Sequence, residues 1–185
     1  MSSTRETKKV TIQTIIGMKA KGEKIAVLTA YDFFTAQLID KAGIDIVLVG
    51  DSASNVIHGH DSTLPISMDI MVAHTAAVAR GTKRALVVAD MPFMSFQPSI
   101  QTAIENAGRF LKEGGAEAVK IEGGTEMVPT VKRVIECGIP VMGHIGLTPQ
   151  SSGQLGGFKA QGRTAETAVD LIEDAKAIQQ AGAFA

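Results

Sequence analysis

The sequence predicts an α/β fold, the front part of a (β/α)₈ TIM barrel, on three observations. Short apolar runs alternate with longer stretches of helical spacing. Most helical stretches are closed by a glycine that opens onto the next apolar run. Each apolar run ends in an ionisable residue, and in parallel α/β folds that edge is where the loops converge on one opening.

The elements follow in order. Thr11–Lys21 reads as an additional N-terminal helix. The strands are read at Ile25–Ala30, Ile44–Val49, Ala85–Ala89, Ala116–Ile121 and Ile139–Met142. Several are almost continuously apolar, as strands covered on both faces are. The helices between them are read at Phe33–Lys41, Met68–Arg80, Ile100–Lys112, Glu126–Glu136 and Ala165–Gln180. The helix-to-strand junction recurs as Ala42-Gly43-Ile44, Gly114-Gly115-Ala116, Cys137-Gly138-Ile139 and Ala181-Gly182-Ala183, with a looser version at Arg80-Gly81-Thr82. Glycine closes a helix in the left-handed conformation without a Cβ penalty. Repeated units of this kind imply a parallel sheet with right-handed crossovers. No linker or low-complexity stretch interrupts them, so residues 1–185 read as a single domain.

Ala183-Phe184-Ala185 reads as the opening of a sixth strand. A closed barrel needs eight strands and about 250 residues. The alternatives are a truncated barrel of five or so strand–helix units and an open doubly wound sheet. Truncation is preferred, because a buried strand cut after a few residues makes a poor natural terminus.

Composition narrows the function classes. The 185 residues are 45% hydrophobic, enough for a large core, and the formal net charge is -1. That balance carries no nucleic-acid or anionic-membrane signal. The one cysteine, Cys137, cannot form an internal disulfide, and no Cys cluster suggests zinc, so a reducing, cytoplasmic setting is expected. Met1–Val10 is polar and charged, unlike a signal peptide. No run of about 18 apolar residues is present to span a membrane.

The strand ends carry the chemistry. They read Thr29-Ala30-Tyr31-Asp32, Val49-Gly50-Asp51-Ser52, Val88-Ala89-Asp90, Lys120-Ile121-Glu122-Gly123-Gly124 and Met142-Gly143-His144. Asp32 immediately precedes a helix and reads as its N-cap or as a group behind the site. Asp51 is followed by the long stretch Ala53–Ser67, read as a loop, and Asp90 by Met91-Pro92-Phe93-Met94. Asp51, Asp90 and Glu122 come from neighbouring strands at equivalent heights, and three such carboxylates repel unless a cation sits among them. An all-oxygen set suits a hard ion such as Mg²⁺, and the His or Cys set that zinc prefers is lacking. Lys120 lies two residues before Glu122, on the same face of the strand. It is either a structural ion-pair partner or an anion-binding group. His144 is the histidine best placed for a site role. His74 reads as packed within its helix. His58 and His60 flank Gly59 in an ordered excursion, Gly59–Pro65, read as a lid or interface element.

At these residues the sequence closely resembles the ketopantoate hydroxymethyltransferase family. The matching segments are Thr29–Asp32, Val49–Ser52, Gly59–Pro65, His74–Val78, Ala89–Met94, Lys120–Gly124, Gly143–Ser151 and Gln161–Arg163, in family order. The resemblance implies a (β/α)₈ barrel of the phosphoenolpyruvate/pyruvate-binding type and a Mg²⁺-dependent one-carbon transfer in pantothenate synthesis. Its substrates would be a 2-oxo acid and 5,10-methylenetetrahydrofolate, in a homodecamer. Carried over by position, Asp51, Asp90 and Glu122 match the metal-site acids. Asp51, Ser52, Asp90 and Lys120 match the 2-oxo acid site, and His144 a site histidine. The family's general-base Glu stands at the end of the sixth strand, beyond Ala185, so no residue here is assigned to it. Two other readings stay open. One is a Mg²⁺-dependent lyase or mutase of the same barrel group. The other is a non-catalytic barrel fragment whose strand-edge acids are caps and ion pairs.

Overall fold

A computed structural model describes residues 8–151, 153, 157 and 159–185. The polar opening read at Met1–Val10 lies outside the described residues as far as residue 7. The chain folds as α1 (Ile12–Lys21), β1 (Val27–Thr29), α2 (Phe33–Lys41), β2 (Ile46–Val49), α3 (Ala53–Val56), α4 (Met68–Gly81), β3 (Leu86–Asp90), α5 (Ile100–Lys112), β4 (Ala118–Glu122), α6 (Val128–Glu136), β5 (Val141–His144) and α7 (Ala165–Gln180). All neighbouring strands pair in parallel, in the order β1-β2-β3-β4-β5. No helix of the described residues is long and apolar enough to cross a membrane.

Local chemistry sets the helix ends. Thr11, Asp32, Ser67, Ser99 and Thr164 each stand at an N-cap and accept from the backbone N–H three residues on, satisfying a donor the first turn leaves free. Four of the expected closing glycines are left-handed: Gly43 (φ 86°), Gly115 (φ 70°), Gly138 (φ 85°) and Gly182 (φ 106°). The fifth is a different case. Gly81 is the last residue of α4, and a Cβ there would meet the Phe33 carbonyl oxygen at 2.5 Å. It is small because α2 and α4 approach closely, so α4 runs one residue past the expected Arg80.

Two further expectations are corrected. Each strand from β2 on begins one or two residues later than its apolar run, because the first apolar residues after the glycine are approach segments. The ladder then extends to take in Asp90, Glu122 and His144 themselves. The stretch Ala53–Ser67 is not wholly loop: α3 forms a single turn directly after Ser52. Residues 183–185 do continue the sheet. Phe184 N–H donates to Val141 O at 3.0 Å, and Gly143 N–H donates to Ala185 O at 2.9 Å.

Strand alternation divides the core in two. Val47, Val49, Val87, Ala89, Val119, Ile121 and Val141 face the helices and form the larger apolar cluster. Ile46, Leu86, Val88 and Ala118 face the other way and pack with Val10 and Ile15. That second face carries the chemistry: continuing by twos, it runs from Val88 to Asp90 and from Ala118 through Lys120 to Glu122. Its foot is apolar and its C-terminal rim is ionisable.

Asp40 near the end of α2 shows how the layers are tied. Its carboxylate accepts from the backbone N–H groups of Lys83, Arg84 and Ala85, at 3.0, 3.0 and 2.7 Å, where the chain enters β3. Burial pushes this carboxyl up, but the N–H groups of Ala85, Lys83 and Arg84 outweigh it and hold it below the ordinary value. Its stabilisation is therefore present above the unfolded carboxylate range and lost as pH falls through the lowered folded value. Asp40→Ala strands several partly buried donors and is expected to lose about 2 kcal/mol or more in urea unfolding at pH 7. A loss below about 0.5 kcal/mol, the range of an ordinary surface substitution, would mean solvent serves these groups equally well.

Candidate active site

The register brings the expected residues to one rim. Asp90 pairs with Lys120 across β3 and β4, and Glu122 pairs with His144 across β4 and β5. Asp51 stands just past β2, and its backbone N–H donates to Asp90 Oδ2 at 3.1 Å. The three acids are not level: Glu122 lies two residues further along than Lys120. Asp51, Asp90, Lys120 and Glu122 are all buried.

Lys120 occupies the middle of the group. Its Nζ lies 2.8 Å from Asp90 Oδ1 and 3.5 Å from Glu122 Oε1. The contact with Asp90 compensates charge but lacks hydrogen-bond geometry, and Asp90 Oδ1 is left buried without a hydrogen-bond partner. Burial alone would push the Lys120 ammonium down, yet Asp90, Glu122 and Asp51 together hold it above its ordinary value. Glu122 is the best satisfied acid. Its Oε1 lies 3.0 Å from His144 Nδ1, and its Oε2 accepts from the Gln150 N–H at 3.1 Å. Burial raises it, while the His144 hydrogen bond, Lys120 and the Gln150 N–H bring it below the ordinary value. His144 Nδ1 is also 3.1 Å from Lys120 Nζ. One ring nitrogen cannot accept from Lys120 and donate to Glu122 together, and an ionised Glu122 selects the Nδ1–H tautomer.

Asp51 is the strained member. Burial first, then the Asp90 charge, pushes its carboxyl up to about 7, although Gln150 Nε2 donates to its Oδ2 at 3.0 Å. Two buried carboxylates close enough for one to raise the other favour a hard cation. The donor set fits Mg²⁺: Asp51 is underneutralised and Asp90 offers a buried oxygen without a hydrogen bond. Among the described residues no three His, Cys, Asp or Glu side chains converge tightly enough to hold an ion by themselves. Lys120 compensates both Asp90 and Glu122, at 2.8 and 3.5 Å. Asp51 is the acid of the three without an ion-pair partner among the described residues, and burial and the Asp90 charge push it up.

Other expected residues fall around this centre. Ser52 Oγ shares a 2.9 Å hydrogen bond with Tyr31 OH. Asp32 is the N-cap of α2, accepting from Thr35 N–H at 2.8 Å and Thr35 Oγ1 at 2.7 Å. His74 is hydrogen-bonded as well as packed: its Nδ1 lies 2.7 Å from the Tyr31 carbonyl and its Nε2 lies 3.0 Å from His58 Nε2. A carbonyl only accepts, so His74 Nδ1 carries the proton and His58 Nε2 donates when both rings are neutral. Sequence reasoning assigned no role to Gln150, which the fold places against Asp51, or to Gln97, which donates to the Gln150 amide oxygen. A cavity of about 970 Å³ lies elsewhere, between Ile15, Ile139, Ile178 and Phe184, and holds none of the acids. A cleft of about 230 Å³ adjoins the β4 and β5 ends at Gly123, Gly124, Gly146 and Thr148.

Comparisons with known proteins show the family and the fold. Residues 9–185 match the family described as ketopantoate hydroxymethyltransferase. A relative from Dehalococcoides mccartyi named 3-methyl-2-oxobutanoate hydroxymethyltransferase is 58% identical over 177 residues, covering 96% of this chain and 63% of its own length. A relative of the same name from Syntrophus aciditrophicus is 55% identical over 184 residues, covering 100% and 68%. The chain thus spans about two thirds of the length of the curated relatives it matches. Among solved structures, a phosphonopyruvate hydrolase complexed with oxalate and Mg²⁺ superposes with a TM-score of 0.69 at 13% identity, over 93% of this chain and 60% of that one. A 2,3-dimethylmalate lyase of the PEP mutase/isocitrate lyase superfamily superposes with a TM-score of 0.63 at 18% identity, over 93% and 61%. These likenesses establish the fold, a partial barrel.

Proposed function

The chain belongs to the ketopantoate hydroxymethyltransferase family, and on that premise we propose that it carries the 2-oxo acid and Mg²⁺ site of a pantothenate-pathway transferase. The reaction joins the methylene carbon of 5,10-methylenetetrahydrofolate to C3 of 3-methyl-2-oxobutanoate, with water supplying the hydroxyl, and yields 2-dehydropantoate and tetrahydrofolate. The observation that supports this reading best is the buried Asp51–Asp90 pair beside the Lys120 ammonium, on the inner rim of parallel strands.

Asp51 and Asp90 would hold Mg²⁺, with Glu122 acting through an intervening water. When bound, the ion supplies a Lewis acid for the substrate's carboxylate and ketone oxygens and for the charge that develops as C3 loses its proton. Lys120 presents a fixed cation to the remaining carboxylate oxygen, and Ser52, held by Tyr31, offers a hydroxyl beside it. Glu122 keeps His144 oriented with Nδ1–H inward, leaving Nε2 as the free ring nitrogen. The C3 proton falls to the family's general-base Glu, which the resemblance places beyond Ala185. The lone Cys137 suits a reducing, cytoplasmic setting, and the family assembly expected is a homodecamer.

The test joins the C-terminal third of the Syntrophus relative to this chain and follows 2-dehydropantoate. Product should appear only with both Mg²⁺ and the tetrahydrofolate donor. Asp90→Ala should lower turnover at least about 100-fold, consistent with the several kcal/mol a Lewis-acid metal supplies. Consumption of the 2-oxo acid without folate would favour the lyase or mutase reading. Unchanged Mg²⁺ affinity and turnover in Asp90→Ala would reject the metal assignment.

A further inference from the structure

Gln150 sits in a 3₁₀ turn just after β5 and is buried, yet both hydrogens of its amide and the amide oxygen are engaged. Its Nε2 donates to Asp51 Oδ2 at 3.0 Å and to the Met91 carbonyl at 2.8 Å. Its Oε1 accepts from Gln97 Nε2 at 3.0 Å. Its backbone N–H donates to Glu122 Oε2 at 3.1 Å. The amide orientation is decided by its neighbours. Met91 O and an ionised Asp51 only accept, so a flipped amide would set oxygen against oxygen at two contacts.

One residue therefore touches the end of β2 through Asp51, the segment after β3 through Met91 and Gln97, and the end of β4 through Glu122. Against its burial beside Asp90, Asp51 has the Gln150 hydrogen bond first and the Lys120 charge after it. A hydrogen bond to one carboxylate oxygen both fixes its direction and favours its charged form, and supporting donors of this kind typically tune ligand affinity about 10–100-fold.

We propose that Gln150 is a positioning residue: its amide, oriented by Gln97 and Met91 O, aims the Asp51 carboxylate at the ion and substrate. The proposal rests on the metal reading given above for its consequence, and on the Asp51 geometry alone for its cause. Gln150 itself touches neither substrate nor ion.

The experiment compares the parent chain with Gln150→Met, which keeps length and volume but removes the donor. Mg²⁺ is titrated by calorimetry, and metal-free crystal structures of both chains are solved. The expected result is a folded variant whose Asp51 side chain has rotated away and whose Mg²⁺ Kd is raised about 10-fold or more. Combined with Asp51→Asn, Gln150→Met should cost no further affinity. A purely structural role would lower the melting temperature and leave both Asp51 and the Kd where they were. Either an unmoved Asp51 carboxylate, or an unchanged Kd in a parent that binds Mg²⁺, overturns the proposal. If the parent binds no Mg²⁺, the metal reading fails, and the Asp51 position in the two structures still decides the role of Gln150. Should Gln150→Met not fold, Gln150→Glu, which is nearly isosteric and turns an oxygen toward Asp51, takes its place in the same comparison.

Discussion

Lys120→Met should make the chain about 3–5 kcal/mol less stable in urea near pH 7, the usual consequence of removing one partner from a buried ion group. The lysine side chain is 9% exposed, and the side chains of Asp90 and Glu122 are 3% and 2% exposed. Methionine preserves the apolar stem and leaves little cavity, so the loss reports charge. Without the ammonium, Asp90 and Glu122 are two buried anions close to Asp51. The pH dependence has a definite sign. Glu122 is held below 4.5, so its contribution is present above that value and lost as pH falls through its lowered folded value. Lys120 is held above 10.5, so its contribution is present below that value and lost as pH rises through its raised folded value. The deficit of Lys120→Met should thus be largest across the neutral range and shrink in acid, where the stranded carboxylates take up protons. A deficit below about 1 kcal/mol at pH 7 would place the group among surface pairs, contrary to its burial. In the same variant, affinity for the 2-oxo acid should fall more than affinity for Mg²⁺. The reverse order would contradict the division of roles between Lys120 and the aspartates.

The parts legible in the sequence are those with short range. Gly43, Gly115, Gly138 and Gly182 sit where the chain must turn left-handed, and that need is written in the residue itself. The spacing of Lys120 and Glu122 places both on one face whatever surrounds them. Asp32 caps the helix that begins at the next residue. What stayed hidden depends on distance in sequence. Gln150 reaches Asp51 across 99 positions, and Asp40 reaches Ala85 across 45. Neither side chain differs in pattern from an exposed polar residue. Gly81 resembled the other junction glycines and is small for another reason, the approach of Phe33. The insertion of Lys120 among the acids was open from the sequence as an ion pair or an anion receptor. The fold makes it the first and leaves it positioned for the second.

Asp51→Asn should act in the opposite direction, stabilising the metal-free chain. In the fold this carboxyl titrates at about 7 against an ordinary 3.8. A raised folded value means that an unfolded chain ionises first. Stability on account of Asp51 is therefore highest below 3.8 and is lost progressively until the folded group also ionises near 7. The accumulated penalty at pH 8 is on the order of 4 kcal/mol. Asparagine keeps an oxygen for Gln150 and carries no charge, so it escapes this penalty. Urea midpoints of the two chains should nearly coincide at pH 3.5 and separate at pH 8, with Asp51→Asn the more stable. Mg²⁺ should narrow the gap, because a ligand that binds only the folded state stabilises it by mass action, by about 2.7 kcal/mol at 100 times its Kd. The parent should gain that increment and Asp51→Asn should not. Coincident midpoints at pH 8 would show that the fold does not oppose the Asp51 charge. An equal Mg²⁺ gain in both chains would place the ion elsewhere. The two arms read separate quantities, since the first measures what a buried carboxylate costs alone and the second what makes that cost useful.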